Sequence, residues 1–189
     1  MPASRRQDLL ETAARLFAEH GFQAVGIDRI LKEAGVAKMT LYKHFASKDD
    51  LIREALQFSD QAWQHAFWSA VADRADTPAG RLLAVFDELA AWHISDDYRG
   101  CVFMHAASEH LETASPAHSV ACDHHQAVRS KLIEMADEAG AADPEALGAS
   151  LALLFEGANA CAQLCRTDNP AKQARDAAAT LLRAAELLV

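Results

Sequence analysis

Residues 35–51 read GVAKMTLYKHFASKDDL and follow directly on the helical stretch GIDRILKEA at 26–34. Gly35 supplies a residue that enters the left-handed conformation of a sharp turn without steric cost. Beyond it, Val36, Leu41 and Phe45 fall on one side of a short helix expected over 38–45. Thr40, Tyr42, Lys43 and His44 fall on the other. That outer side is thin, polar and basic. Such a face on a short helix, propped by the helix before it, fits a DNA major groove. Lys38, Met39 and Thr40 lead the helix and are placed for base edges, where a threonine or methionine methyl meets the thymine methyl. Tyr42 and His44 can donate to phosphate oxygens, and Lys43 serves either role. Lys48 opens the next helix, where free backbone N–H groups already attract an anion. Arg5 and Arg6, ahead of the first helix, are placed for the neighbouring phosphates.

Outward from this segment the punctuation is that of helices. Thr77, Ser115, Asp143 and Asn169 each precede a proline. Proline is well tolerated at the first helical position, and the residue before it can cap the free N–H groups. Ser4 with Gln7, and Ser47 with Asp50, resemble capping boxes. No segment alternates with a two-residue apolar period, so an all-α chain of nine helices is expected. They are read at about 5–19, 27–34, 38–45, 48–72, 78–92, 101–111, 116–140, 144–166 and 170–188. The first buries Leu9, Leu10, Ala13, Leu16 and Phe17. The expected division is a helix-turn-helix DNA-binding domain over 1–50 and a helical effector-binding and dimerisation domain over 51–189.

The net charge of −9 argues against DNA until its distribution is read. Residues 1–53 hold nine Lys/Arg against seven Asp/Glu, and the remainder nine against twenty. A mildly basic head on an acidic body lets only one end approach phosphate without repulsion. No apolar run reaches the roughly 18 residues of a membrane span. Acidic residues interrupt MPASRRQDLLETAARLF too early for a signal peptide, so a cytoplasmic protein with no membrane partner is expected. The four cysteines, at 101, 122, 161 and 165, are then read as thiols rather than bridges. No GxSxG, phosphate-binding glycine loop or HExxH motif is present, so the chain is not read as an enzyme and no cofactor is expected.

The string EHGFQAVGIDRILKEAGVAKMTLYKHFASKDDLI closely resembles the N-terminal domain of the TetR family of bacterial transcriptional regulators, over about residues 5–53. The resemblance implies a homodimer, nine helices and repression relieved by a small molecule. It implies phosphate contacts from Tyr42, His44 and Lys48, and base reading from the front of the third helix. Two positions depart from the family pattern. Val25-Gly26 stands where a serine or threonine often precedes the second helix, and Ala37 where a serine often precedes the third. An alanine cap weakens a helix start by about 1 kcal/mol.

In the body, Leu147, Leu151, Leu154, Phe155 and Ala158 recur at helical spacing, as do Ala174, Ala178, Leu181, Leu182, Ala185 and Leu188. Paired with their copies, the last two helices would form a four-helix dimer interface. An effector pocket is expected among the fourth to eighth helices. Its candidate lining is Trp63, Phe67, Phe86, Trp92, Phe103, His105, Phe155, Asn159 and Gln163. Asn159 and Gln163 share a helix face, and buried amides need partners that a ligand can supply. An alternative is a metal- or thiol-responsive repressor. Its candidate groups are His105 with Glu109, Cys122 with His124 and His125, and Cys161 with Cys165, each at a spacing that permits ligation or oxidation.

Overall fold

The computed structural model describes residues 4–96, 98–112, 114–165 and 167–188. Among them are nine α-helices and no strand. These are α1 (Arg5–His20), α2 (Ile27–Ala34), α3 (Lys38–His44), α4 (Lys48–Arg74), α5 (Pro78–His93), α6 (Val102–Glu109), α7 (Pro116–Glu138), α8 (Pro144–Cys165) and α9 (Asn169–Ala184). None is long and apolar enough to cross a membrane.

Capping accounts for most of the helix starts. Ser4 Oγ accepts from Gln7 N at 3.2 Å, Thr77 Oγ1 from Gly80 N at 3.1 Å, and Ser115 Oγ from His118 N at 3.2 Å. Ser47 Oγ accepts from Asp50 N at 3.1 Å, and the Asp50 carboxylate returns to Ala46 N at 3.1 Å. A hydrogen bond from Arg53, then one from Ala46 N–H, holds Asp50 below the usual carboxylate range. Gly26 and Ala37 cap α2 and α3 by backbone position alone.

Both ends of α9 differ from the sequence reading. Asn169 is the first residue of α9 rather than its cap; Asp168 precedes it in a helical conformation and gives no side-chain cap. The Asp168 carboxylate pairs instead with Lys172, one turn on, and that hydrogen bond lowers its pKa. At the other end, Glu186 takes a left-handed φ of 59° and Leu187 N bonds Leu182 O at 2.9 Å, so α9 stops before Leu188. Arg166, expected to end α8, lies outside the described residues, as do Met1, Pro2 and Ala3 of the expected 1–50 domain.

The chain divides into two compact units, one of residues 1–63 with 101–124 and one of 64–100 with 125–189. In the first unit, α1, α2 and α3 surround Leu9, Leu16, Phe17, Ile30 and Leu41, all fully buried. Arg15 ties α1 to α2, bonding Glu19 on its own helix and Glu33 across the gap. In the second unit, α5, α8 and α9 form the core, with Leu82, Phe86, Leu151, Phe155, Ala178 and Leu182 inside. Alanines on α9 let its axis lie close to α5 and α8, while the leucines and phenylalanines fill the remaining space.

Candidate nucleic-acid interface and effector site

Gly35 ends α2 at φ 63° and ψ 34°, a left-handed cap whose N–H bonds Leu31 O. Val36 N also bonds Leu31 O, at 3.1 Å. The chain therefore reverses within three residues, and α3 starts at Lys38. Val36, Leu41 and Phe45 are buried, as their spacing required. Because α3 is only seven residues long, it has no stability of its own and depends on that anchoring. Its other side is open. Met39 is 87% exposed and Tyr42 is 49% exposed, and Lys38 and Lys43 are exposed beside them. Thr40 and His44 are half-buried on the flanks, with the His44 ring edge-on to Phe45.

Two cations expected at the phosphates are otherwise engaged. Arg6 pairs with Glu54 and lies over the Phe45 ring, 5.3 Å from its centroid. It braces α1 against α4. Lys48 is half-buried and its Nζ donates to Phe22 O at 2.8 Å. One of its three protons is thus committed to the α1–α2 turn. Lys38 lies 3.9 Å from Asp28, an exposed pair of little strength.

The α1–α2 turn is held from a second side by α6, a contact that the sequence reading missed. The Glu109 carboxylate accepts from Phe22 N at 3.0 Å and Gln23 N at 2.7 Å, and the His110 ring stands edge-on to Phe22. The only signal was a carboxylate at the end of a helix; its partner is 87 residues away in sequence. Glu109→Gln keeps one acceptor oxygen but loses the charge, and is expected to cost about 1 kcal/mol. Chemical denaturation checks this; an unchanged midpoint would remove Glu109 from the account of head stability.

The effector-site candidates fall in both units. In the first, His124 is buried, stacked on Phe103 with centroids 3.7 Å apart and edge-on to Trp63 at 4.9 Å. Its Nδ1 lies 2.6 Å from Asp60 Oδ1. His105 is half-buried on α6. In the second unit, Phe67 meets Phe155 edge-on at 5.8 Å, and Phe86 is fully buried in the core. Asn159 is 2% exposed and its Oδ1 lies 3.0 Å from His93 Nε2. Gln163 sits one turn further along α8, its Oε1 buried with no hydrogen-bond partner. Trp92 and Tyr98 pack edge-on at 5.0 Å beside His93. His93 and Tyr98 were not foreseen: a histidine ending an apolar helix carries no distinctive pattern.

Burial pushes the His93 pKa below its ordinary 6.5, outweighing the Asn159 hydrogen bond and the Asp168 charge. The native imidazole therefore resists protonation while the unfolded one accepts a proton near 6.5. The sign follows: His93 imposes no penalty above that value, and stability falls as pH drops through it toward the folded pKa. Thermal melts between about pH 7.5 and 5.5 should fall more steeply for the wild type than for a His93→Phe/Asn159→Leu double variant. Parallel curves would contradict the assignment.

The metal- or thiol-sensing groups do not converge. Among the described residues no three His, Cys, Asp or Glu side chains come together in a way that could hold a metal ion. Glu109 is directed to backbone N–H groups, His124 to Asp60 and His125 to Glu156. Cys101 is buried, and Cys122, Cys161 and Cys165 are exposed thiols.

The face that α8 leaves open differs from the stripe read in the sequence. Leu147, Leu151, Phe155 and Ala158 are buried inside the chain's own core, as are Ala174, Ala178 and Leu182 on α9. Their leucine-rich spacing satisfied the intrachain packing first. The exposed apolar line on α8 is Leu153, Gly157, Cys161 and Leu164, the last 84% exposed. Leu153, Gly157 and Cys161 of this line, with Pro170 and Ala174, border an open groove between α8 and α9.

Comparison with known proteins agrees with this geometry. The family model described as "Bacterial regulatory proteins, tetR family" matches residues 9–55, and "Tetracyclin repressor-like, C-terminal domain" matches residues 78–178. The chain is similar to the HTH-type transcriptional repressor KstR2 of Mycolicibacterium smegmatis, 37% identical over 45% of this chain and 41% of that protein. It is 29% identical to KstR2 of Mycobacterium tuberculosis, over 71% of this chain and 66% of the relative. The alignments thus span about two fifths to two thirds of these relatives. The crystal structure of SCO4454, a TetR-family transcriptional regulator from Streptomyces coelicolor, superposes with a TM-score of 0.85 at 32% identity, covering 96% of this chain and 95% of that one. With both halves matched and a near-complete structural counterpart, the chain belongs to the TetR family of bacterial regulatory proteins.

Proposed function

We propose that the protein is a transcriptional repressor that binds a palindromic DNA operator as a homodimer and leaves it when a small molecule enters the helical body. The observation that carries this reading is α3: a seven-residue helix anchored by Leu41, with Met39, Tyr42 and Lys43 facing outward. Thr40 and the residues before it read bases, and Tyr42, Lys43 and His44 hold phosphates. Lys48 contributes the protons that Phe22 O does not take. The sequence similarity to KstR2, named a repressor, supports the direction of regulation.

The dimer is assigned to α8 and α9. Leu153, Gly157, Cys161 and Leu164 give α8 an open apolar line with a small residue at its centre, which allows a second helix to approach closely. Two-fold symmetry then presents two copies of α3 to half-sites about 34–36 Å apart. An effector that favours another arrangement of the body changes that spacing and lowers affinity by its differential binding to the two states. Within the second unit, the effector site takes its walls from Phe67, Phe86, Trp92, Phe155, Asn159 and Gln163.

Selection of bound duplexes from a random DNA pool, with sedimentation of the free protein, tests this directly. An inverted repeat and a dimer at micromolar concentration are expected. A monomer, or DNA binding without sequence preference, would overturn the reading.

A further inference from the structure

Among the described residues, two buried acceptors in the second unit have no donor. His93 is 3% exposed, and as a neutral imidazole with Nε2–H directed at Asn159 Oδ1 it presents Nδ1 as a lone pair. Among the described residues no group bonds that atom. Gln163 Oε1, one turn along α8 from Asn159, is equally buried and unbonded. Buried polar atoms are nearly always satisfied in folded proteins, so a pair of orphans beside one amide needs a reason. Both are acceptors. Around His93 the surroundings are aromatic, with the Tyr98 ring at 5.2 Å and the Trp92 ring at 5.8 Å.

We infer that His93 Nδ1 and Gln163 Oε1 form the polar end of the effector site and recognise a neutral, largely apolar ligand through a hydroxyl donor, as in a phenol or alcohol. The inference rests on the proposed effector-responsive body and specifies its ligand class. A hydroxyl gives its proton to one of the two lone pairs, and the aromatic rings cover the apolar part. An ether of the same shape brings a lone pair against lone pairs and leaves both acceptors unsatisfied. A carboxylate is worse, because it brings a full charge into a desolvated site. Sites built to bond a substrate hydroxyl reject analogues lacking it for this reason.

The test uses para-ethylphenol, its methyl ether and para-ethylbenzoate against the DNA-free full chain, read by calorimetry and by the 15N signal of the His93 imidazole. The phenol is expected to bind at least about tenfold more tightly than the ether, to shift the Nδ1 signal, and to outcompete the benzoate. Gln163→Met, which removes one orphan and keeps the volume, should reduce the phenol–ether ratio by severalfold and raise the melting temperature of the free protein. The His93→Phe/Asn159→Leu variant should abolish the ratio. Equal binding of phenol and ether, binding of none at millimolar concentration, or an unchanged ratio in Gln163→Met would each overturn the inference; a buried water as sole occupant gives one of the first two. Operator binding is measured without ligand, so failure here is distinguishable from failure of the DNA-binding reading.

Discussion

A Tyr42→Ala/Lys43→Ala double variant is expected to lose operator affinity by about a hundredfold, with helicity and dimerisation unchanged. Both side chains are exposed and neither belongs to the core of the head. Their removal therefore leaves Leu41, Val36 and Phe45 packed as before. Each substitution counts twice in a two-fold complex, so four DNA contacts disappear. At somewhat under 1 kcal/mol each, these sum to about 2.7 kcal/mol, which is a factor of about a hundred. The dependence of affinity on salt should also flatten, because the lost lysines no longer displace counterions. A fluorescence anisotropy titration at two salt concentrations measures both effects. Unchanged affinity would place the DNA contacts elsewhere on the molecule.

Gly148→Ala is expected to be the most damaging small substitution in the body. Gly148 is buried in α8 against α7, and a Cβ there would lie 2.5 Å from the Ile133 Cα and 2.6 Å from its nitrogen. The obstacle is backbone, so no rotamer change relieves it; α7 and α8 must separate. Alanine gains up to about 1 kcal/mol in helix propensity over glycine, but overpacking of this kind costs about 1–3 kcal/mol and the separation also loosens neighbouring contacts. A net loss of about 2 kcal/mol corresponds to a fall of roughly 4–8 °C in melting temperature for a chain of this size. Scanning calorimetry decides it; a stabilised variant would show that the two helices slide apart at little cost. Gly157, on the same helix, has open space within the chain where its Cβ would be, so Gly157→Ala meets no such obstacle and bears on the proposed α8 dimer seam instead.

The two glycines illustrate why parts of this protein were readable in advance. A glycine inside a leucine-rich helix signals close approach, but whether the neighbour is Ile133 of the same chain or a second molecule is a tertiary fact. The same applies to the leucines. The spacing of Leu147, Leu151 and Phe155 correctly marked a buried stripe, yet the stripe serves the chain's own core, and the open line of Leu153 and Leu164 lies on another face of the same helix. Periodicity reports which residues need burial and carries no information about what buries them.

The charged residues divide in the same way. Lys43 and Tyr42 could be placed on the outer side of α3 from spacing alone, because a seven-residue helix with Leu41 inside has only one other side. Arg6 and Lys48 could not. Their long side chains reach Glu54 and Phe22 O, groups brought near only by folding of the head. Glu109 was read in the sequence as a candidate metal ligand with His105; in the structure its carboxylate accepts from the Phe22 and Gln23 N–H groups of the α1–α2 turn.

Reading residues in order was enough to place the nine helices found among the described residues, most of their starts, and the helix-turn-helix with its outward basic face. These rest on local physics: caps that bond within three residues, a glycine with positive φ, and apolar spacing at 3.6 residues per turn. Folding settled the rest: which leucines stay exposed on α8, that α6 holds the α1–α2 turn, and that among the described residues His93 and Gln163 carry acceptors without donors. Those depend on pairs of residues dozens of positions apart, whose approach is set by packing of whole helices rather than by the neighbours of either residue along the chain.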